Sequence, residues 1–192
     1  MSASQLSRAS FEGLEVQTRE QQPTPFVEAL GEGTAVAIFL RHFGCIGCTQ
    51  QINDLVPRLP ELDALGVRVV LVGNGEPPFL DEFMRRHNLL ATSVQVVTDP
   101  SLATYKAAGF DRSAWGTFGL GSIVRRFKAA GKGATGYGGS GDLLQQGGAT
   151  VFAPDGSVAL HYASHAVGDN VDLNDVVEAA LRLQGTELEG VV

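Results

Sequence analysis

Cysteine is nearly missing from this sequence: there are two in 192 residues, Cys45 and Cys48, three positions apart. A bridge over so short a loop removes little chain entropy, so stabilisation is a poor reason to have the pair, and chemistry is a better one. No stretch approaches the ~20 apolar residues needed to cross a bilayer. The first twenty residues are polar with both charge signs and lack the apolar run of a secretory signal. These absences lead to the expectation of a cytoplasmic protein, in a compartment that keeps thiols reduced. Basic residues are few, 14 Lys and Arg against 21 Asp and Glu, giving a net charge of −7. Sequence-independent nucleic-acid binding and membrane-surface binding both call for a basic face, so neither nucleic acid nor membrane is expected as a partner. Arg125, Arg126, Lys128 and Lys132 form one local exception and read as a solvated helix face.

What is present is an ordinary globular composition, 44% hydrophobic and 18% charged, at the length of one domain. Residues 1–25 end in Gln22-Pro23-Thr24-Pro25 and read as a leader or linker, leaving 26–192 as the folded domain. Residues 34–40 are an unbroken apolar run suited to a strand buried on both faces. A helical pattern follows from Cys45, with Ile52, Leu55, Val56, Leu59 and Leu62 on one face; Pro57 and Pro60 predict a kink or break within it. Residues 66–72 and 94–97 read as further strands. Pro77 and Pro78 open a helix between them, and Asp99 begins a short helix that passes Tyr105 and stops at Gly109. Residues 149–153 and 157–162 form a hairpin across Pro154-Asp155-Gly156, and a last helix begins near Asp172. Residues 111–148 interrupt the alternation as a glycine-rich excursion with a helix at about 122–130. Strands alternating with helices predict an α/β fold, a three-layer sandwich with a mixed central sheet and helices on both faces.

A strand that runs into Cys-x-x-Cys, itself opening a helix, is a physical arrangement. The free N–H groups and the dipole of the first turn favour a thiolate. Cys45, at the turn, is the expected exposed nucleophile. Cys48, one turn further in, is placed to close a bridge in an intramolecular second step. Arg41 and His42 precede the pair and could lower a thiol pKa or bind an anionic substrate; a solvent-facing or carboxylate-paired Arg41 is the alternative.

The segment Phe39-Leu40-Arg41-His42-Phe43-Gly44-Cys45-Ile46-Gly47-Cys48 resembles the active-site stretch of the peroxiredoxin-like proteins, the second branch of the alkyl hydroperoxide reductase and thiol-specific antioxidant superfamily. Val97-Thr98-Asp99-Pro100 with Tyr105 and Gly109, the Asp142 to Gly148 segment, His161 and Gly168-Asp169 add to the resemblance, which spans about residues 34–183. It implies a thioredoxin-like fold and an oxidoreductase that reduces hydroperoxides or disulfides through a redox-active Cys45–Cys48 dithiol. It further implies no bound cofactor or metal and a dithiol electron donor of the thioredoxin type; a homodimer is compatible with it. Set against the peroxiredoxin pattern Pro-x-x-x-Thr/Ser-x-x-Cys, Cys48 stands at the peroxidatic position, Cys45 at the Thr and Arg41 at the Pro. Which cysteine attacks first therefore stays open: Cys45 in disulfide exchange, Cys48 if peroxide is the substrate. Gly147-Gly148 stands where thioredoxin-like proteins put a cis-proline, so Gly148 joins Arg41 as a candidate substrate contact.

Three other patterns compete. Cys45-x-x-Cys48 and His161-x-x-x-His165 have the two half-spacings of a structural zinc site, but the segment between them is far longer than a zinc finger allows. Residues 131–136 spell a dinucleotide fingerprint yet follow a predicted helix instead of a strand. Asp169, Asp172 and Asp175 lack the calcium-loop pattern and read as helix-start residues. A non-catalytic redox-sensing or binding module is the remaining alternative in a different class, and Trp115 reads as a core residue or a cover over the site.

Overall fold

Strand and helix alternate as the periodicity requires, in a computed structural model that describes residues 6–113, 141–166 and 168–189. A 3-10 turn at Arg8–Phe11 leads to β1 (Glu15–Gln17), β2 (Pro23–Pro25) and α1 (Phe26–Leu30). Next come β3 (Ala35–Phe39) and α2 (Ile46–Leu55), then α3 (Leu59–Ala64) after a 3-10 turn at Val56–Arg58. β4 (Arg68–Gly73), α4 (Pro78–Arg86), β5 (Gln95–Thr98) and α5 (Ala103–Ala107) follow. The chain closes with β6 (Gly148–Phe152), β7 (Val158–Ala163) and α6 (Leu173–Glu189).

The strands form one mixed sheet of order β2-β1-β5-β4-β3-β6-β7. β3, β4 and β5 run parallel, joined by helical crossovers; β6 lies antiparallel to β3 and turns back into β7. The alternation within β3 shows how one strand serves two cores. Val36, Ile38 and Leu40 face Ile52, Leu55, Leu80, Phe83 and Val176 from α2, α4 and α6. Ala35, Ala37 and Phe39 face Phe11, Phe26, Tyr105, Phe110 and Phe152 on the other side. The result is the expected three-layer α/β sandwich with a thioredoxin-like order of elements.

The turn chemistry follows the sequence closely. Pro57 and Pro60 break the helical run into two helices and a 3-10 turn. Gly109 and Gly156 take the left-handed backbone (φ +77° and +85°) that ends α5 and turns the hairpin. The Asp172 carboxylate accepts the Asn174 N–H at 2.8 Å and caps α6.

The expectation of a leader over residues 1–25 needs correction from Leu6 onward. Strands β1 and β2 extend the sheet beyond β5, and Phe11 is fully buried against Phe26 and Phe152. Pro23 and Pro25 fit because β2 is an edge strand, where a missing N–H costs no ladder bond. The excursion is closed at its base: Ser113 N–H donates to Leu144 O at 2.8 Å and Gln146 N–H to Asp111 O at 2.9 Å. The predicted helix at 122–130, Trp115, the basic cluster and the glycine pattern at 131–136 lie outside the described residues.

Candidate active site

The dithiol sits where β3 hands over to α2, at the C-terminal edge of the parallel strands, the edge at which such sheets build their sites. β3 stops pairing at Phe39, and the Leu40 N–H still reaches Val72 O at 2.8 Å. Phe43 then folds back over Gly73, where the ring occupies the space a Cβ would need, and packs at 5.1 Å, tilted by 44°, against Phe83 of α4. That anchor fixes the loop so that Cys45 becomes the N-cap residue of α2 and Cys48 its third residue.

Both thiols are free and both are buried, Cys45 at 3% exposure and Cys48 at 4%. The expected exposed Cys45 is therefore corrected: it is buried, with the Arg41 guanidinium against its sulfur. Arg41 is 5% exposed, which excludes the solvent-facing alternative. Its backbone N–H donates to Cys48 Sγ at 3.3 Å, Nη1 donates to Cys45 Sγ at 3.7 Å, and Nη2 donates to Leu143 O at 2.9 Å. One residue thus addresses both sulfurs, by main chain and by side chain. Asn74, just past β4, holds Arg41 from the other side, with Nδ2 donating to Arg41 O at 2.7 Å. The same amide's Oδ1 accepts the Asp142 N–H at 3.1 Å and ties residues 141–146 to the site. Asp142 in turn pairs with Arg112 at 2.6 Å.

The two thiols differ strongly in acidity. The Cys48 thiol donates to the Cys45 sulfur, which holds Cys45 well below the ordinary cysteine value against the opposing effect of burial; the charges of His42 and Arg41 add to the lowering. Cys48 is pushed well above that value by the same hydrogen bond, then by burial and by the Cys45 charge. The arrangement favours the charge on Cys45 and the proton on Cys48. The capping amide expected from the sequence is there, the Cys48 N–H in the first turn of α2, but its lowering of Cys45 is the smallest of the contributions. The neighbouring thiol supplies the larger effect.

Gly148 lies inside the sheet, paired with Phe39 and Ala163, and a Cβ there would collide with Phe110 and with Tyr162 O. Its glycine character serves strand packing. His161 stacks on Phe110 (5.3 Å, 11°) and hydrogen-bonds Thr150 through Nδ1 at 3.0 Å, and His165 N–H caps Asp169 at 2.7 Å. Among the described residues no three His, Cys, Asp or Glu side chains converge as a metal site.

Sequence reasoning passed over Asn74, Leu143 and Tyr105 as site residues. Asn74 carried a signal, being a polar residue between two glycines at the end of a parallel strand. Leu143 contributes its carbonyl, which no side-chain pattern announces. Tyr105 is fully buried, and its hydroxyl donates toward Leu40 O at 2.6 Å and Val72 O at 2.8 Å, behind the dithiol loop.

Comparison with known proteins bears on the family and the fold. A family model described as AhpC/TSA antioxidant enzyme matches residues 54–165, a span that begins after the cysteines. Prostamide/prostaglandin F synthase of Xenopus tropicalis is 35% identical over 153 residues, covering 77% of this chain and 74% of that one; the Bos taurus protein of the same name is 36% identical over 154 residues, with the same coverage. Among solved structures, Xanthomonas campestris peroxiredoxin Q superposes with a TM-score of 0.64 at 18% identity, covering 94% of this chain and 98% of that one. Peroxiredoxin 6 of Arenicola marina superposes with a TM-score of 0.65 at 10% identity, covering 93% and 73%. At such identities the structures speak for the fold.

Proposed function

The chain belongs to the AhpC/TSA antioxidant enzyme family, an oxidoreductase of peroxiredoxin-like type, and from that premise we propose that Cys45 is its nucleophile and Cys48 its second sulfur. The observation that carries this reading is the Arg41 guanidinium on Cys45, Nη1 donating to its Sγ at 3.7 Å at the N-cap of α2, which agrees with a Cys45 lowered and a Cys48 raised in pKa. In the first step the Cys45 thiolate, in place of the Cys48 that the peroxiredoxin pattern puts at the peroxidatic position, attacks a peroxide O–O bond, because Cys45 is the lowered thiol and Cys48 the raised one. Cys45 becomes a sulfenic acid and the leaving oxygen takes a proton to depart as an alcohol or water. In the second step Cys48 attacks the Cys45 sulfur, the S–S bond forms and water leaves with the Cys48 proton. A dithiol donor then reduces the bridge by exchange. Burial favours a small peroxide head group over a bulky protein disulfide as first reactant, because only 3% of Cys45 is exposed. Arg41 is the substrate-side positive charge in this scheme, placed to hold the attacking sulfur and to face the developing oxyanion.

The names of the curated relatives favour a finer reading, a lipid substrate. Leu143, whose carbonyl accepts from Arg41, leaves 46% of its surface exposed beside the site and offers such a substrate an apolar contact. Both readings meet in one assay. Purified protein with dithiothreitol or a thioredoxin should consume hydroperoxide, and a lipid hydroperoxide faster than hydrogen peroxide if the lipid reading holds. Cys45→Ser should abolish consumption, while Cys48→Ser, treated with peroxide and no reductant, should stop at a Cys45 sulfenic acid that dimedone traps, where the parent closes the Cys45–Cys48 bridge. Consumption no faster than free dithiothreitol would overturn the proposal in favour of a sensor.

A further inference from the structure

The peptide group linking Leu40 to Arg41 touches the dithiol on one side and a buried phenol on the other. Its N–H donates to Cys48 Sγ at 3.3 Å, and its C=O accepts the Tyr105 hydroxyl at 2.6 Å. The ladder of β3 ends at Phe39, so this carbonyl lies beyond the last paired residue of its strand. The hydroxyl has one hydrogen, shared with Val72 O at 2.8 Å, an oxygen that already accepts the Leu40 N–H. The Leu40 carbonyl is thus both the nearer and the less satisfied acceptor.

We propose that Tyr105 is a positioning residue that acts through this peptide to strengthen the hold of the Arg41 amide on the Cys48 sulfur. The dipoles run one way, O–H to O=C, then N–H to S. A hydroxyl bonded to an amide oxygen draws electron density toward that oxygen and makes the amide hydrogen a stronger donor, and such chains polarise one another. The proposal rests on the reading of Cys48 as the second sulfur, and it explains when the phenol matters. In the resting site Cys48 is kept protonated mainly by its bond to the Cys45 thiolate. Once Cys45 is oxidised that bond and that charge are gone, and the groups left facing Cys48 are the Arg41 amide and its guanidinium. Cys48 must then attack as thiolate, and the polarised amide favours that form. The sulfur and the phenol lie close enough to sense each other's charge, as the Cys48 and Asp99 charges, after burial, oppose ionisation of Tyr105.

The ring has its own anchors, edge contacts at 5.2 Å to Phe39 and 6.5 Å to Phe110, so Tyr105→Phe removes the hydroxyl while the packing stays. The test uses the full chain carrying Cys45→Ser, in which Cys48 is the one thiol left, and reads thiolate absorbance and iodoacetamide alkylation against pH. Tyr105→Phe should move the Cys48 midpoint upward and slow alkylation at fixed pH about two- to fourfold. A ring-fluorinated tyrosine placed at 105, a stronger donor, should move the midpoint downward. Midpoints equal to the parent's, or displaced in the same direction by both changes, would overturn the proposal. If Tyr105→Phe does not fold, the fluorinated protein decides alone, and an unmoved midpoint there refutes the relay. Because this titration needs no substrate, it can fail while peroxide turnover succeeds, and the reverse.

Discussion

Removing the Cys48 thiol should make Cys45 a weaker acid, and the size of the change depends on what replaces the sulfur. The leading cause of Cys45 acidity is the hydrogen bond it accepts from Cys48, ahead of the His42 and Arg41 charges. A hydrogen bond to a charged group contributes about 1.5–3 kcal/mol. At 1.36 kcal/mol per factor of ten, losing it lowers the thiolate fraction roughly ten- to a hundredfold at a pH below the midpoint. Cys48→Ala removes the donor and should show that full loss. Cys48→Ser keeps an O–H in the same place and should stay near the parent, although Arg41 N–H then donates to oxygen in place of sulfur.

Alkylation of Cys45 by iodoacetamide over a pH series measures this directly, since each variant carries a single thiol. Near-ultraviolet circular dichroism of the two proteins checks that Phe43 and its neighbours keep their packing. Identical rate profiles for Cys48→Ser and Cys48→Ala would refute the reasoning and shift the acidity of Cys45 onto the cationic neighbours alone. A Cys48→Ala profile matching that of Cys45 in the parent would refute it equally.

Arg41→Lys keeps a positive charge but loses the planar fork that spans Cys45 Sγ and Leu143 O, so peroxide turnover should fall about tenfold in a steady-state assay. Gly141→Ala forces a Cβ onto the Asn74 amide at a backbone φ of +126°; thermal unfolding should report a loss of about 1–3 kcal/mol. Phe11→Ala should cost about 3–5 kcal/mol in urea titration, since the ring is fully buried between Phe26 and Phe152. Burial, and secondarily Arg86, pushes His87 down from 6.5 to about 4, so on acidification the unfolded chain takes up that proton first. Stability from a neutral His87 should be complete above pH 6.5 and decline toward pH 4, and His87→Leu should flatten urea midpoints across that window.

The sheet and the dithiol were legible in the sequence because each depends on local pattern. Residues 34–40 and 66–72 are too apolar for anything but buried strands, and Cys-x-x-Cys at a strand-to-helix switch is a local arrangement. The N-terminal segment was illegible for the converse reason. β1 and β2 have three residues each, too few for a period to register, and Phe11 is held by Phe152, far away in sequence. Gly148 was a candidate substrate contact because it stands where thioredoxin-like proteins put a cis-proline; that Phe110 packs against it is visible only in the fold. Arg41 could face water or the site, and carbonyl and amide groups distant in sequence, from Leu143 and Asn74, decide between them.

The division of labour between the sulfurs follows from the same distinction. A helix start favours negative charge on any sulfur near it, and Cys45 and Cys48 both lie within the first turn of α2. The dipole alone gives little reason for one thiol to be acidic and the other not. Tertiary contacts bias the pair: the Arg41 guanidinium and the His42 charge favour a charge on Cys45, which the hydrogen bond from Cys48 then reinforces, while the Arg41 amide on Cys48 opposes the split without reversing it. Two thiols this close cannot both ionise cheaply, so lowering one raises the other. Oxidation of Cys45 removes the repelling charge and the acceptor together, which releases Cys48 to ionise only after the first step has taken place. On the proposed reading the sulfur that holds the proton attacks second, and changing the Arg41 contacts should change that order.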